Sequence, residues 1–321
     1  MRGATTRRYL MGLLLAGALF ACSDHRLPPI TPGVSAERLR VKTITQVSGL
    51  FDTDPSYQKV SLFGYDSHGR LSSIIAYLLP DSSQGPVERN TYQYDAQNRL
   101  IQHQRVITRP YFYKGTTERH LISYNSAGQV AEIRYFNDND SPGTPILTFT
   151  ATPQFTSSNK LHSYHKVLSP TFFRSPPSDV RLRAELLLSN ITFTSDNLTA
   201  YHSQAIFDDF GGGYSTTDSD QRLTYDNKIN PFYGLFIIPE PIGNIINIRE
   251  RIFSSRTYYG GLDNLINLSR NNVLSVETSN APSLATYEYT YNSSNLPTSR
   301  TFISPYSVGV NQKILLEYES Y

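Results

Sequence analysis

The 321-residue chain contains no tryptophan, only two methionines and a single cysteine, Cys22. One cysteine excludes an intramolecular disulfide, so stability has to come from hydrogen bonds and apolar burial. After residue 21 no apolar run is long enough to span a bilayer as a helix. Lysine and arginine together number 29, against 27 acidic residues. This balance, without basic clusters, argues against nucleic acid as a partner.

The sequence also lacks the familiar signatures of catalysis and metal binding. Residues 211–213 are three glycines, but they lack the Lys-Ser/Thr of a phosphate loop and the spacing of a dinucleotide site. His162 and His165 lie three apart in a predicted strand, which places them on opposite faces and favours surface histidines over a metal site. Asp138 and Asp140 lack the spacing of an EF-hand, so we expect solvated loop residues. From the sequence we therefore predict no metal site, no cofactor and no enzymatic activity.

The N-terminal segment has the form of an export signal. Arg2, Arg7 and Arg8 precede a short apolar run that ends at Ala21. The run is too short to indicate a transmembrane helix, since a helix needs about 20 apolar residues to cross a bilayer. We therefore expect residues 1–21 to be a signal peptide.

The end of this segment, Leu19-Phe20-Ala21-Cys22, resembles the lipobox of bacterial lipoproteins. The resemblance implies cleavage before Cys22, with lipid on its sulfur and on the new amino terminus. It also implies an outer membrane lipoprotein of the cell envelope, on a side of the membrane that the sequence leaves open. The alternative is an ordinary secretory signal with a chance cysteine.

Residues 22–42 are predicted to be the lipidated cysteine and a flexible tether, because three prolines and a glycine at positions 28–33 break regular structure. Residues 43–321 are predicted to form one β domain. Removing the three arginines of the signal leaves 29 − 3 = 26 basic residues against 27 acidic ones, a net charge of −1.

A seven-residue pattern recurs through the first half of this domain. Its copies are Tyr65-Asp66-Ser67-His68-Gly69-Arg70-Leu71, Tyr94-Asp95-Ala96-Gln97-Asn98-Arg99-Leu100, Tyr124-Asn125-Ser126-Ala127-Gly128-Gln129-Val130 and Phe155-Thr156-Ser157-Ser158-Asn159-Lys160-Leu161. The fifth position is always Gly or Asn, the residues that tolerate φ > 0, as a tight hairpin requires. We therefore predict structural turns at Gly69, Asn98, Gly128 and Asn159.

Each copy consequently reads as strand, turn and strand, and a repeat of about 30 residues is typical of a modular fold. Aromatic residues two apart, such as Tyr92 and Tyr94, share one face of a strand. We favour packing for these aromatics over a stacking platform for sugars, because tyrosine is common in strands. The predicted fold class is all-β: a large antiparallel β-meander, curled into an open or closed barrel-like sheet.

The repeated Tyr-Asp-x-x-Gly-Arg-Leu pattern resembles the YD repeats of Rhs-type proteins. Together with the lipobox, the variant copy that starts at Tyr225 and the later Asn271-Asn272-Val273, it resembles a group of Gram-negative lipoproteins with a β-rich, porin-like domain. The resemblance implies a wide antiparallel sheet curled toward a barrel. It implies no catalytic residue. At Ile229 the variant copy has a β-branched residue where the turn residue should be, so its turn must differ.

Three functional hypotheses follow. The first is a lipid-anchored envelope protein whose β-repeat scaffold binds a glycan, a peptide or a protein partner. The alternative is an envelope carbohydrate hydrolase that uses two loop carboxylates as acid and base. The third, an integral outer-membrane barrel, ranks last because Glu317 and Glu319 occupy positions in the final strand where a lipid-facing strand should be apolar.

Overall fold

The computed structural model describes residues 39–47, 58–79, 82–108, 116–138, 145–169, 184–208, 213–233, 238–239, 257–259, 265–279, 281–303 and 312–321. The strands are β1 (Leu39–Gln46), β2 (Gln58–Tyr65), β3 (Leu71–Leu79), β4 (Glu88–Tyr94), β5 (Leu100–Ile107), β6 (Thr116–Tyr124), β7 (Val130–Asn137), β8 (Ile146–Phe155), β9 (Leu161–Leu168), β10 (Ala184–Thr194), β11 (Asn197–Asp208), β12 (Tyr214–Ile229), β13 (Ile238–Pro239), β14 (Thr257–Tyr259), β15 (Asn271–Thr278), β16 (Ala281–Tyr291), β17 (Pro297–Ile303) and β18 (Gln312–Ser320). Two short 3₁₀ helices cover Ser82–Gln84 and Leu265–Leu268.

Sixteen of the described strands form one closed antiparallel barrel. Neighbours in the chain are neighbours in the barrel, except where β12 pairs with β15 and leaves β13 and β14 as a separate two-stranded sheet. The barrel closes where β1 pairs with β18, with Ile44 opposite Leu316. The prediction of an all-β antiparallel meander is confirmed, and the sheet is closed rather than open. β1 begins at Leu39, so the first strand includes residues that the sequence assigned to the tether.

The strands alternate between a buried inner face and a polar outer face, as a barrel wall requires. In β4 the buried residues are Glu88, Asn90 and Tyr92, and the exposed ones between them are Arg89 and Thr91. Directly opposed residues of neighbouring strands share a face, so the pairing registers extend this assignment around the wall.

The hairpin turns use the predicted residues in the predicted conformation. Gly69, Asn98, Gly128 and Asn159 have φ values of 76°, 63°, 77° and 60°. In the first copy Oδ1 of Asp66 accepts hydrogen bonds from the backbone N–H groups of His68 and Arg70, so the side chain holds the turn. A later copy, which begins at Tyr291, has the same turn, with Asn295 at φ 60°.

The sixth position of the motif links one turn to the next around this end of the barrel. The Arg70 guanidinium binds its own Asp66 at 2.7 Å, lies 4.4 Å from the ring centroid of Tyr94 and donates to Oδ1 of Asn98 at 2.7 Å. The Tyr94 hydroxyl in turn donates to the carbonyl of Leu71, at the last position of the preceding copy. Tyr124 makes the equivalent bond to Leu100, whereas the fourth copy begins with Phe155, which has no hydroxyl. The motif therefore both forms a turn and joins it to its neighbour.

Replacing Gly128 with alanine is expected to lower the free energy of unfolding by about 1–2 kcal/mol, because an L-residue is disfavoured at φ 77°. No atom lies within 4 Å of an added Cβ, so the cost comes from the backbone alone. Gly128→Asn is the matched control and should cost clearly less, since Asn98 and Asn159 already hold this conformation. Urea denaturation of both variants measures the difference, and equal losses would contradict this explanation of the turn.

The later copies depart from the pattern. We expected a different turn in the copy that starts at Tyr225, but β12 continues through Ile229 and the turn comes later, at residues 231–233. Before β15, Leu268 ends a 3₁₀ helix, and the strand itself begins at Asn271.

The lumen of the barrel is packed with side chains. One cluster of buried hydrophobic residues includes members from β1 to β12 and from β15, β16 and β18, and Phe302 of β17 packs against it. The chain that leaves β12 contributes to it: Phe232 is fully buried, with its ring centroid 6.5 Å from that of Phe63 on β2, and Leu265 is 7% exposed. Sixteen-stranded porins enclose an aqueous channel, so this filling is a distinct solution to the same strand number.

The outer wall is polar over strands β4, β5 and β8. Outward positions of β4, β5 and β8, assigned from the pairing registers, are Arg89, Thr91, Gln93, Gln102, Gln104, Val106, Thr150, Thr152 and Gln154. Membrane-spanning barrels carry an outward apolar band about 25 Å tall. This part of the wall instead has the composition of a surface in contact with water. No helix among the described residues has the length and apolarity needed to cross a bilayer.

Candidate functional site

A row of charged side chains runs along the inner face of the barrel wall, near the end where β2, β4 and β6 begin. Glu88 lies at its centre: Oε2 accepts from Lys59 Nζ at 2.5 Å and from Arg105 Nη2 at 3.0 Å. Arg105 also binds Glu118 at 3.3 Å, and Asn90 donates to Oε1 of Glu88 at 2.9 Å. We call these five residues the charged row. Two cations face two carboxylates, so the row is electrically balanced.

Burial and pairing act against each other in the charged row. Burial by itself would raise the pKa of Glu88, but the charges of Arg105 and Lys59 outweigh it and hold this pKa at about 2. Burial also lowers the pKa of Lys59 against the attraction of Glu88. A carboxyl group with so low a pKa is ionised at neutral pH and has no proton to donate, so Glu88 is unsuited to the role of general acid.

Beside the charged row lies a second row, made of rings, which we call the ring row. Directly opposed positions on five successive strands carry Tyr92, His103, His120, Tyr135 and Phe149. Their successive ring centroids are 4.9, 5.4, 4.8 and 4.7 Å apart. At its end, Lys166 Nζ lies 3.7 Å from the Phe149 centroid. All five rings are buried, which makes the row part of the core rather than an open platform for sugars.

The hydrogen-bond network assigns the protons of the two histidines. Asn90 donates through Nδ2 to Glu88, so its Oδ1 faces His103 Nε2 at 3.1 Å and accepts the proton there. His103 Nδ1 is then an acceptor, and the facing Nδ1 of His120, 3.3 Å away, is the donor. The charged row thus fixes the tautomers of the ring row. Burial, followed by the charges of His120 and Arg105, lowers the pKa of His103 well below its usual value, so this ring is neutral.

Acid is therefore expected to destabilise the fold through His103. Its pKa is depressed in the folded state, so its contribution is complete above the unfolded pKa of about 6.5 and is lost as the pH falls below that value. The unfolding free energy should fall by up to about 1.4 kcal/mol per pH unit from this group. Urea denaturation between pH 7 and 5 measures the slope. His103→Gln should flatten it and His162→Gln, at an exposed position, should not; the same slope in all three proteins would contradict the assignment.

The sequence-predicted residues lie elsewhere. Gly69, Asn98, Gly128 and Asn159 lie at one end of the barrel, in the turns described above, and the charged row lies toward the opposite end. Cys22 lies outside the described residues. His162 is exposed, and His165 is bound to Glu185 on the next strand at 3.1 Å. Among the residues that the structure describes, no three His, Cys, Asp or Glu side chains are grouped to hold a metal ion.

Asp138 corrects the sequence interpretation. We expected a solvated loop residue, but Asp138 is only 3% exposed, and Oδ1 accepts a hydrogen bond from the backbone N–H of Thr117 at 2.5 Å. Asp138 directly follows β7, and its backbone N–H donates to the carbonyl of Thr117 on β6, so it closes the end of the β6–β7 pairing. Asp140 lies outside the described residues.

Sequence reasoning missed the charged row, although a signal for it was present. Counting back in steps of two from the repeat tyrosine Tyr94 gives Tyr92, Asn90 and Glu88, all on the inner face. Counting back from Tyr124 gives Ile122, His120 and Glu118 in the same way. The period of two was visible, but polar residues on a predicted inner face were not recognised as partners of one another.

Fold and site together define a closed antiparallel β-barrel with a packed, ion-paired lumen. No known protein family and no curated protein matches the chain by sequence. Solved structures resemble it: a porin-like protein from Bacteroides uniformis is 14% identical over 87% of this chain and 98% of its own, with a TM-score of 0.46. A porin-like protein from Bacteroides vulgatus is 12% identical over the same shares, with a TM-score of 0.36. The complex of TcdB2 and TccC3 contains a chain that is 15% identical, matched over 84% of this chain and 12% of its own, with a TM-score of 0.26.

Proposed function

We propose that this chain is a lipid-anchored cell-envelope protein, of the YD-repeat type that its sequence resembles, whose barrel presents loops to a glycan, peptide or protein partner. The single observation that carries the proposal is the contrast between the outer wall and the lumen. Polar residues such as Gln93 and Gln104 lie on the outside, and the lumen is filled. A wall of this kind does not offer lipid an apolar band, so attachment to the membrane falls to lipid on Cys22.

A binding role, rather than catalysis, is supported by the chemistry of the lumen. Its most buried carboxylate, Glu88, is held ionised by two cations, and His103 is held neutral by burial. These groups fix one another in place instead of facing a substrate. The tight turns are occupied in holding one hairpin to the next, so we propose that partner binding does not use them.

The anchor is tested by Cys22→Ala in the full-length chain. Intact-mass spectrometry of the wild-type protein should show the mass of acyl chains on a chain that begins at Cys22, and the protein should sediment with membranes. The variant should lose the acyl mass and, when it is produced without residues 1–21, should move largely to the soluble fraction, because each buried acyl CH₂ contributes roughly 0.8 kcal/mol to membrane binding. Ser23→Ala is the matched control and should behave as the wild type. An unmodified Cys22, or a variant that still sediments fully, would contradict the proposal.

The partner is tested by crosslinking from the envelope and by binding to glycan arrays. We expect a defined ligand whose binding survives changes on the turns, such as Gln97→Ala, which lies at an exposed position. Capture of no ligand by either method would count against a binding function. The hydrolase alternative requires two loop carboxylates about 5–10 Å apart in a cleft. Turnover of an envelope polysaccharide by the purified protein would establish it instead.

A further inference from the structure

The outer wall is not uniform, and three of its exposed large apolar residues, Leu62, Leu315 and Tyr321, lie around the seam where the barrel closes. We call the outer surface of β18, β1, β2 and β3 the seam wall. Leu62 on β2 is 43% exposed and Leu315 on β18 is 38% exposed. Leu62 lies opposite Ile75, and Val60 lies opposite Tyr77, so these side chains share the outer face of two neighbouring strands.

The seam wall is continuous across the closing strand β1. Thr45 on β1 lies between Leu315 on one side and Val60 on the other. At the end of β18, Tyr321 is 38% exposed, and the Arg40 guanidinium lies 4.9 Å from its ring centroid. Tyrosine beside a cation is a combination suited to the boundary between lipid and water.

The charges on the outer wall also distinguish the seam wall from the rest of the barrel. Exposed or outward groups of β18 and β1 are three cations, Arg40, Lys42 and Lys313, and two carboxylates, Glu317 and Glu319. The strands β12, β15 and β16 carry four exposed carboxylates and one exposed arginine on their outer surface, namely Asp218, Asp220, Glu277, Glu288 and Arg222. We call this second surface the acidic wall. An anionic lipid surface attracts the cations on β18 and β1 and repels the acidic wall.

The chain itself connects the seam wall to the anchor. Sixteen residues, 23–38, separate Cys22 from Leu39, where β1 starts. β1 is the central strand of the seam wall, with β18 on one side and β2 on the other. Lipid on Cys22 would therefore be joined to the barrel on this side.

We propose that the seam wall is a membrane-contact surface, so that the barrel lies with β18, β1, β2 and β3 against the lipid headgroups and the acidic wall turned away from them. The proposal rests on the anchor of the proposed function for its biological setting. Leu62 and Leu315 enter the interface between water and lipid, and Lys42 and Lys313 beside them contact lipid phosphate groups. The contact is peripheral: it adds orientation and affinity to an attachment that the acyl chains supply.

The contact is measured without the anchor, in the mature chain (residues 22–321) with Cys22→Ala, which lacks the apolar run of the signal, mixed with vesicles of phosphatidylethanolamine and phosphatidylglycerol. We expect detectable co-flotation, weakened roughly tenfold by Leu62→Ser combined with Leu315→Ser, since both side chains lose apolar area buried at the interface. Leu187→Ser with Leu274→Ser is the matched control: these leucines are 37% and 36% exposed on β10 and β15, and their loss should leave binding unchanged. No co-flotation, or equal weakening by both pairs, would overturn the proposal.

A second measurement serves if the serine variants fail to fold. In the Cys22→Ala background an introduced cysteine is the only one in the chain, so Leu62→Cys and Leu187→Cys each carry a single environment-sensitive fluorophore. Vesicles should shift the emission of the probe at residue 62 and leave that at residue 187 unchanged; equal shifts would contradict the proposed orientation. Because the acyl mass on wild-type Cys22 is measured separately, failure of the contact and failure of the anchor remain distinguishable.

Discussion

Replacing Arg105 with methionine is expected to lower the free energy of unfolding by about 3–5 kcal/mol. Arg105 is 1% exposed and binds Glu88 and Glu118 at 3.0 and 3.3 Å. Methionine keeps much of the volume but removes the charge, which leaves Glu118 without this cation and Glu88 with Lys59 as its main cationic partner. Removing one member of a buried ion pair costs more than the pair itself contributes, because the remaining charges stay in a medium of low dielectric constant.

The matched control is Arg134→Met on the outer face of β7. Arg134 also forms an ion pair, with Glu132 at 3.3 Å, but the two side chains are 49% and 43% exposed. An exposed pair contributes only about 0–1 kcal/mol, so this variant should unfold close to the wild type. Guanidinium denaturation compares the three proteins. A loss for Arg105→Met no larger than that for Arg134→Met would show that the charged row is not a structural element of the lumen.

Replacing Phe149 with alanine is expected to cost about 3–5 kcal/mol, the usual range for removing a buried phenylalanine. Phe149 is 2% exposed and is stacked 4.7 Å from Tyr135, with an interplanar angle of 21°. Lys166 Nζ lies 3.7 Å from its ring centroid. The substitution therefore creates a cavity in the ring row and removes a cation–π contact at the same time.

The control for this cavity is Phe136→Ala, on the outer face of the neighbouring strand β7. Phe136 is only half-buried, and the Arg119 guanidinium lies 5.0 Å from its ring centroid. Its removal creates no enclosed cavity, so the loss should be well below that of Phe149→Ala. Thermal and urea unfolding measure both. Similar losses would mean that the inner and outer faces of the wall are packed alike, contrary to the filled lumen described above.

The repeats in the sequence predicted local structure well and long-range structure only in part. Gly69 or Asn98 at a fixed offset after an aromatic residue determines a turn by itself, because few residues adopt positive φ. Closure was harder to predict, since it depends on how β1 meets β18 about 270 residues later, and that pairing is set by the sum of twist and register over all strands. The charged row was missed for a similar reason. Glu88 and Arg105 are ordinary polar residues in sequence, and only the register of β4 on β5 brings them together.

Closure between β1 and β18 is the claim on which the account depends, and a disulfide across that seam tests it most directly. In the Cys22→Ala background, Thr45→Cys and Leu315→Cys occupy directly opposed positions. Mild oxidation should form a disulfide, which removes two hydrogens from the intact mass, speeds migration on a non-reducing gel and leaves the protein folded. The control pair is Thr45→Cys with Thr216→Cys, which lie on the non-adjacent strands β1 and β12 and should stay reduced. No crosslink between residues 45 and 315 in the folded protein, or equal crosslinking of both pairs, would contradict a closed sixteen-stranded barrel.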